Sequence, residues 1–418
     1  MQEPEVGLRW QTMVDRLVQA YPFQNPAIEA AFRRVPRHAF LPGVPLEQVY
    51  DYAQAIPTRR GPRGEATSSS SAPDIMGLML DMLDVQPGQR VLEIGAGTGY
   101  NAAILADMVG PTGRVVSIEL QPEVAEDARQ NLSAAGFDRV QVEIGDGGFG
   151  YPPAAPYDRI IVTACASAIP PAWREQLVEG GRLVLPLELF GMQHAVAFER
   201  RGVELAARAR TGCGFMPLQG AFGRSFAAPV PLGARPGVFL MGYRDRDYAP
   251  EAAALWEWLS ASAACHPSAV FAGREEILNR LIPWLWLRWP GDGASLWATE
   301  AAGDPPFPPL IAFGANVKAA FTYAFFSAGD GGLSAALLAA PPNSAPDSQP
   351  IELSVCPLGP AVQAAQDLLD LLTTWQSAGR PTIDWLTLRV FPTDLPSQPT
   401  PGETVLTTSW GHLFVQTH

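Results

Sequence analysis

The chain has 418 residues, of which 47% are apolar and 17% are charged, so it has enough apolar material for more than one buried core. Its net charge of −13 argues against nucleic acid as a partner, because proteins that bind nucleic acid present basic faces. No uncharged apolar run is long enough to span a membrane, and the acidic start MQEPEVGLRW lacks the layout of a signal peptide. We therefore expect a cytoplasmic protein with no membrane partner.

The cysteines do not follow the spacing of a metal site. Cys165, Cys213, Cys265 and Cys356 are scattered, and the adjacent pair Cys265-His266 has no other candidate ligand nearby in the sequence. Reduced, mostly buried thiols and no metal site are therefore predicted.

The first 72 residues are predicted to be largely helical. Trp10, Met13 and Leu17 recur at helical spacing, a second helix follows up to residue 35, and Pro36 ends it. VPRHAFLPG is predicted to be a loop, and residues 74–84 an amphipathic helix.

From Arg90 onward the chain alternates between strands and helices. The strands are RVLEI, RVVSIEL, VQVEIGD, YDRIIVTA and GGRLVLPL, and helices are expected at residues 101–109, 122–134 and 172–178. Such alternation predicts an α/β fold with a doubly wound, Rossmann-like parallel sheet. HAVAFERR and VELAARAR are predicted to close it as an antiparallel hairpin around Gly202.

The second half of the chain has a different composition. Residues 225–245 are rich in Pro, Gly and Arg, which predicts a boundary between a domain at 1–228 and an accessory domain at 229–418. The second domain contains many of the tryptophans and a helix at residues 361–375. We expect a mixed α+β fold there, with some tryptophans lining a peptide groove or all of them packed in a core.

A glycine loop lies between the first of these strands and the helix that follows it. In VLEIGAGTGYNAA, Gly95, Gly97 and Gly99, with Thr98 between them, allow a sharp turn close to a ligand. Glu93 precedes the loop, and its carboxylate would repel a pyrophosphate but suit a cationic ligand.

Acidic residues also follow the next two strands. Glu119, with Leu120 beside it, ends the second strand, where an acid commonly binds ribose hydroxyls. Asp146 and Gly147 end the third strand, and the aspartate can accept a hydrogen bond from an adenine amino group. An acidic crevice for an adenosine and a positive charge favours S-adenosylmethionine, with a dinucleotide as the alternative.

Several of these motifs together resemble a known family. VLEIGAGTGYNAAILADMVGPTGRVVSIEL, IGDGGFGYPPAAPYDRIIVTACASAIPPAW and LVEGGRLVLPL closely resemble the protein-L-isoaspartate O-methyltransferase family, and VPRHAFLP and FMPLQG also fit it. The resemblance covers roughly residues 28–222. It implies the fold of a class I S-adenosylmethionine-dependent methyltransferase that methylates carboxyl groups.

The run of four serines after Thr67 falls at a key position of that family. The family segment usually reads Gln-Thr-Ile-Ser-Ala-Pro-His, and alignment on Ser-Ala-Pro matches Ser71 to the active-site serine. Ser70 then replaces an apolar residue and Asp74 a histidine. We interpret Ser71 and Ser70 as catalytic residues that position a carboxylate without exchanging a proton; a helix cap or a flexible linker are the alternatives.

The serine-rich segment and the C-terminal extension also resemble methyltransferases of lanthipeptide and related peptide clusters. That resemblance implies methylation of an Asp side chain in a cyclised precursor peptide, the ester then closing to a succinimide and hydrolysing in some cases to isoaspartate. Arg59, Arg60 and Arg63 are candidate contacts for an acidic peptide. Repair methylation of isoaspartyl residues is the first alternative and a non-catalytic adaptor the second; the oligomeric state stays open.

Overall fold

The computed structural model describes residues 3–61, 66–189, 192–223, 229–242, 247–260, 264–312, 319–329, 332–340, 350–393, 399–407 and 411–417. The chain forms two compact units. The first comprises residues 1–223, 385–400 and 405–415, and the second comprises residues 224–384, 401–404 and 416–418. The second unit is therefore inserted into the sequence of the first.

The N-terminal part of the first unit is helical, with one small hairpin. Its elements are α1 (Glu3–Ala20), α2 (Pro26–Arg34), α3 (Leu46–Val49), β1 (Ile56–Arg60), β2 (Ala66–Ser70) and α4 (Pro73–Leu83). Asn25 caps α2 by accepting a hydrogen bond from the amide of Ala27. The predicted loop VPRHAFLPG contains a short 3₁₀ helix at Arg37–Phe40, and Arg37 is buried there.

A sheet with five parallel strands follows, as predicted. The elements are β3 (Arg90–Ile94), α5 (Tyr100–Val109), β4 (Arg114–Glu119), α6 (Pro122–Ala134), β5 (Gln141–Ile144), β6 (Tyr157–Val162), α7 (Pro171–Glu175) and β7 (Leu177–Leu189). Helix α6 buries Val124, Ala125, Ala128 and Leu132, the spacing of a helix with one apolar face. The helix expected at 172–178 is shorter than predicted, because Leu177 already begins β7.

The predicted hairpin around Gly202 is present as β8 (Met192–Arg201) and β9 (Glu204–Gly212), and both strands are antiparallel to their neighbours. Gly202 has a φ of 62°, a left-handed conformation that glycine adopts without strain.

The second unit is built on an antiparallel sheet. Its strands are β10 (Val230–Pro231), β11 (Val238–Gly242), β12 (His266–Ala272), β13 (Asp292–Thr299), β14 (Ile311–Ala312), β15 (Ala319–Gly329), β16 (Gly332–Ala339) and β17 (Ile351–Leu358). They lie in the order β10-β11-β13-β15-β16-β17-β12, with β14 beside β15. Its helices are α8 (Ala249–Ser260), α9 (Arg274–Glu276), α10 (Ile282–Arg288) and α11 (Gln363–Ser377).

The chain then returns to the first unit, whereas the accessory domain predicted at 229–418 is contiguous. The last strands are β18 (Ile383–Phe391), β19 (Glu403–Thr407) and β20 (His412–Thr417). They extend the first sheet to the order β19-β20-β18-β9-β8-β7-β6-β3-β4-β5. Strand β18 runs antiparallel to β9, pairing Arg389 with Ala206 and Val390 with Leu205. Most residues of these three strands belong to the first unit.

The second unit contains a disulfide and most of the tryptophans considered above. Cys265 and Cys356 form that disulfide, so the expectation of reduced thiols is wrong for this pair, while Cys165 and Cys213 keep their thiol groups. Of the tryptophans considered for a peptide groove, Trp284 and Trp289 are buried. The others are half-buried: Trp256, Trp258, Trp286 and Trp297.

Within the described residues, no helix combines the length and apolarity needed to cross a membrane. In the same residues, no three His, Cys, Asp or Glu side chains are grouped so that they could hold a metal ion.

Candidate active site

The glycine loop between β3 and α5 adopts a conformation that requires glycine. Gly95, Gly97 and Gly99 have φ values of 97°, 53° and 85°. A Cβ on Gly95 would lie 2.5 Å from Oγ1 of Thr163, and one on Gly97 would lie 3.0 Å from the carbonyl oxygen of Ser69. The loop is therefore packed against the end of β6 on one side and against the serine strand on the other.

A cavity opens beside this loop at the carboxyl ends of the parallel strands, where α/β folds usually bind ligands. Its walls come from the serine strand, α4, the glycine loop, the ends of β4 and β6, and the segment after β9. The lining residues are Thr67–Ser71, Met76, Met79, Ile94–Thr98, Tyr100, Asn101, Ile118–Gln121, Gly147, Ile161, Thr163, Ala164 and Phe215–Gln219.

Glu93 lies on β3 just before the loop and is completely buried. Nδ2 of Asn101 donates to its Oε1 at 2.8 Å, and the Ser117 hydroxyl donates to its Oε2 at 2.5 Å. Burial raises the pKa of Glu93 to about 7, although both hydrogen bonds oppose that shift. Asn101 lines the cavity, so this buried carboxyl group is linked to the cavity wall through one side chain.

Glu119 lies at the cavity wall and is 8% exposed. Its Oε2 accepts the amide of Gly97 at 3.1 Å and its Oε1 accepts the amide of Gln121 at 3.2 Å. Each carboxylate oxygen retains a lone pair for a further donor such as a ligand hydroxyl. Leu120 and Thr98 also line the cavity.

Unlike Glu119, Asp146 does not line the cavity, and both of its carboxylate oxygens accept hydrogen bonds from backbone amides. Its Oδ1 accepts the amide of Gly148 at 2.9 Å, and its Oδ2 accepts the amide of Ala221 at 2.6 Å. Gly147 belongs to the cavity lining, whereas Asp146 holds the segment after β9. The predicted hydrogen bond from an adenine amino group to Asp146 would have to form in addition to these two hydrogen bonds from backbone amides.

Ser68, Ser69 and Ser70 belong to strand β2, and Ser71 follows it directly, so the flexible-linker alternative is wrong. Ser68 and Ser70 are buried on one face of the strand, and Ser69 and Ser71 are half-buried. Among the described residues, Oγ of Ser70 has no hydrogen-bond partner and is shielded from solvent. The helix-cap alternative is also wrong, because the N-cap of α4 is Ala72 and no side chain caps that helix.

Strand β2, the serine strand, contacts both the glycine loop and the segment after β4. Nε2 of Gln121 donates to the carbonyl of Thr67 at 2.9 Å, and the carbonyl of Ser69 packs against Gly97. Ser71 and the glycine loop line the same cavity.

The three arginines before the serines are not all described. Arg59 makes an ion pair of 2.6 Å with Asp127 on α6. Arg60 ends β1, and Arg63 lies outside the described residues. Contact with an acidic peptide remains a prediction.

Sequence reasoning did not identify Asn101, Thr163 and Gln121 as site residues. Asn101 is the second residue of α5 after the glycine loop, Thr163 follows β6, and Gln121 follows Leu120 at the end of β4. Their closeness to elements that the sequence had already marked was the available signal. The far wall, Phe215–Gln219, is held by backbone hydrogen bonds between Cys165 and residues Met216 and Leu218.

The fold and this cavity define a class of enzyme. The glycine cradle leaves no room for side chains, an acidic residue with free lone pairs ends β4, and the buried Glu93 lies next to the wall. These features fit an adenosine with a cationic group, as in S-adenosylmethionine. The protein has the fold of class I S-adenosylmethionine-dependent methyltransferases.

Comparison with known proteins identifies the family. The profile of the protein-L-isoaspartate(D-aspartate) O-methyltransferase family matches residues 9–222. The protein-L-isoaspartate O-methyltransferase of Methanopyrus kandleri is 41% identical over 210 residues, covering 50% of this chain and 90% of that relative. The same enzyme of Hyperthermus butylicus is 40% identical over 230 residues, covering 53% of this chain and 92% of the relative.

A solved structure named protein-L-isoaspartate O-methyltransferase matches 98% of this chain and 98% of its own, with a TM-score of 0.50 and 22% identity. At that identity the match concerns the fold alone, and it includes the second unit. The chain belongs to the protein-L-isoaspartate O-methyltransferase family. It is a methyltransferase that uses S-adenosylmethionine and acts on aspartyl or isoaspartyl carboxyl groups.

Proposed function

We propose that the protein methylates the free carboxylate of L-isoaspartyl residues in peptides and proteins, as the first step of their repair. The observation that carries the proposal is the attachment of the serine strand to the glycine loop within one cavity. The related protein-L-isoaspartate O-methyltransferases, which match over most of their own length, support the same substrate.

The reaction needs placement more than acid–base catalysis. A carboxyl group has a pKa of about 4, so the nucleophile is already ionised at neutral pH. The hydroxyl of Ser71, which lines the cavity, would donate to one carboxylate oxygen and leave the other free for in-line attack. S-adenosylmethionine supplies an electrophilic methyl group when it is bound.

The cofactor contacts follow from the site. Gly95, Gly97 and Gly99 would admit it closely, Glu119 would accept from ribose hydroxyls, and Leu120 and Gly147 would contact the base. The wall at Phe215–Gln219 would restrict water. After methylation, the following backbone amide attacks the ester and expels methanol, which closes a succinimide that hydrolyses to aspartyl or isoaspartyl.

Modification of an ordinary Asp in a cyclised peptide is the second candidate. It is favoured by Ser70, a buried hydroxyl without a partner in the described part of the chain, at a position where the resemblance expects an apolar residue. Burial of an unsatisfied hydroxyl costs about 1–3 kcal/mol, so a substrate that pairs with it after a shift of the strand would recover that cost.

The repair proposal is tested with a protein aged in vitro to accumulate isoaspartyl residues. Incubation with the full chain and S-adenosylmethionine should lower its isoaspartyl content, measured by peptide mapping, relative to incubation without the cofactor. An unchanged isoaspartyl content, with active cofactor binding shown by calorimetry, would contradict the repair function.

A further inference from the structure

Arg37 is a charged residue that is completely buried beside Ser71. Its Nη1 donates to the carbonyls of Val49 at 2.9 Å and Asp51 at 3.3 Å. Its Nη2 donates to the carbonyls of Gln54 at 3.1 Å and Ser71 at 2.9 Å. The guanidinium group of Arg37 thus joins residues 49–54 to Ser71, the serine that the proposed mechanism uses.

Burying the Arg37 cation costs free energy of folding unless its N–H groups find hydrogen-bond acceptors. Desolvation lowers the pKa of Arg37 to about 10, with Tyr100 the largest opposing influence, so the side chain is still charged at neutral pH. Four carbonyl acceptors offset the cost of desolvation. A planar guanidinium group can reach acceptors on both sides at once, whereas a lysine ammonium cannot match that geometry.

The bond to Ser71 falls in the short connection between strand β2, whose last pair joins Ser70 to Ile56, and helix α4. Strand β2 ends at Ser70, helix α4 begins at Pro73, and Ala72 between them has no side-chain cap. On the other side, Gln121 fixes the strand at the carbonyl of Thr67. Among these contacts, the Arg37 bond is the one made to the backbone of Ser71 itself.

We infer that Arg37 is a positioning residue for methyl transfer: it holds the backbone of Ser71 so that the serine hydroxyl presents the substrate carboxylate in line with the methyl group. This inference rests on the proposed function of Ser71. Because a misplacement of about 1 Å can cost about a hundredfold in rate, loss of the clamp should act on turnover and leave cofactor binding intact.

The test uses the full chain with Arg37→Lys and Arg37→Met. The matched control is Arg34→Met, since Arg34 makes a forked ion pair with Asp107 and does not touch the serine segment. Hydrogen exchange is followed in a peptide spanning residues 66–79 and in one spanning residues 100–109. Turnover with an isoaspartyl peptide and the S-adenosylmethionine Kd are measured beside it.

We expect faster exchange in the 66–79 peptide alone, a fall in kcat of about tenfold or more, and a Kd within about twofold of wild type. If Arg37→Met does not fold, the same measurements on Arg37→Lys test the inference. Uniformly faster exchange, unchanged exchange at 66–79, or loss of cofactor binding in step with kcat would overturn the inference. The exchange result stands even if the wild type fails to methylate the isoaspartyl peptide, so failure of the proposed function is recognised separately.

Discussion

Glu93 shows how one buried carboxyl group can make cofactor binding depend on pH. Its pKa is raised to about 7 by burial, so the neutral form is favoured in the folded protein. Its contribution to stability is fully present below its unfolded pKa of about 4.5 and is lost as pH rises through 7. A cationic ligand such as S-adenosylmethionine bound near Glu93 would favour the charged carboxylate over the neutral form.

We therefore predict that S-adenosylmethionine binds more tightly at pH 8 than at pH 6, with release of a proton near neutral pH. Glu93→Gln should flatten this dependence, because the amide does not titrate. Calorimetry at several pH values measures both effects, and S-adenosylhomocysteine, which lacks the sulfonium charge, is the matched control ligand. Equal slopes for the wild type and Glu93→Gln would show that Glu93 does not sense the cofactor's charge.

Ser71 provides a second test at the scale of one residue. Ser71→Ala should lower kcat by about tenfold or more and leave the S-adenosylmethionine Kd nearly unchanged, because its proposed partner is the substrate carboxylate. Ser133→Ala, at an exposed serine that bonds to Asp138, is the control. Wild-type turnover by Ser71→Ala would remove the serine from the mechanism.

At the scale of elements, the sequence predicted the parallel sheet well because its helices and strands carry local signals. Helix α6 has the predicted bounds, since Pro122 marks its start and the spacing from Val124 to Leu132 marks its buried face. Strand β2 was missed because four consecutive serines have no apolar alternation. Its strand conformation comes from pairing with β1, in which Ile56 lies opposite Ser70.

The pairing of β18 with β9 can be tested by placing a charge in the extended sheet. Val390 on β18 is 5% exposed, whereas Val405 on β19 is 39% exposed. Val390→Asp should destabilise the first unit by more than about 2 kcal/mol, because it buries an unpaired charge. Val405→Asp should change little. Thermal unfolding compares the two, and equal Tm values would argue that β18 contributes nothing to this fold.

At the scale of the whole molecule, nonlocal contacts limited what the sequence could predict. The change of composition near residue 228 marked the start of a second unit, but nothing local indicated that β18–β20 rejoin the first sheet. The disulfide joins Cys265 and Cys356 across 91 residues, and spacing alone does not select that pair from four cysteines. Likewise, Arg37 reaches Ser71 through folding, 34 residues along the chain.

The family assignment bears on substrate choice, which is the central question for the whole molecule. The family profile matches residues 9–222, which lie in the first unit, whereas the fold match to one solved structure covers 98% of the chain and so includes the second unit. If repair is the function, a short isoaspartyl peptide should be a sufficient substrate, since the cavity proposed to hold the carboxylate and the cofactor is lined by residues of the first unit.

The most direct measurement is a competition between three peptides of one sequence in a single reaction with the full chain and S-adenosylmethionine. One peptide contains L-isoaspartate, one contains L-aspartate, and one contains L-aspartate within a ring. Mass spectrometry follows the methyl ester and the succinimide of each. We predict that the isoaspartyl peptide is methylated with a kcat/KM at least about a hundredfold above the other two. Preferential methylation of the cyclised aspartyl peptide would contradict the repair function and support peptide modification instead.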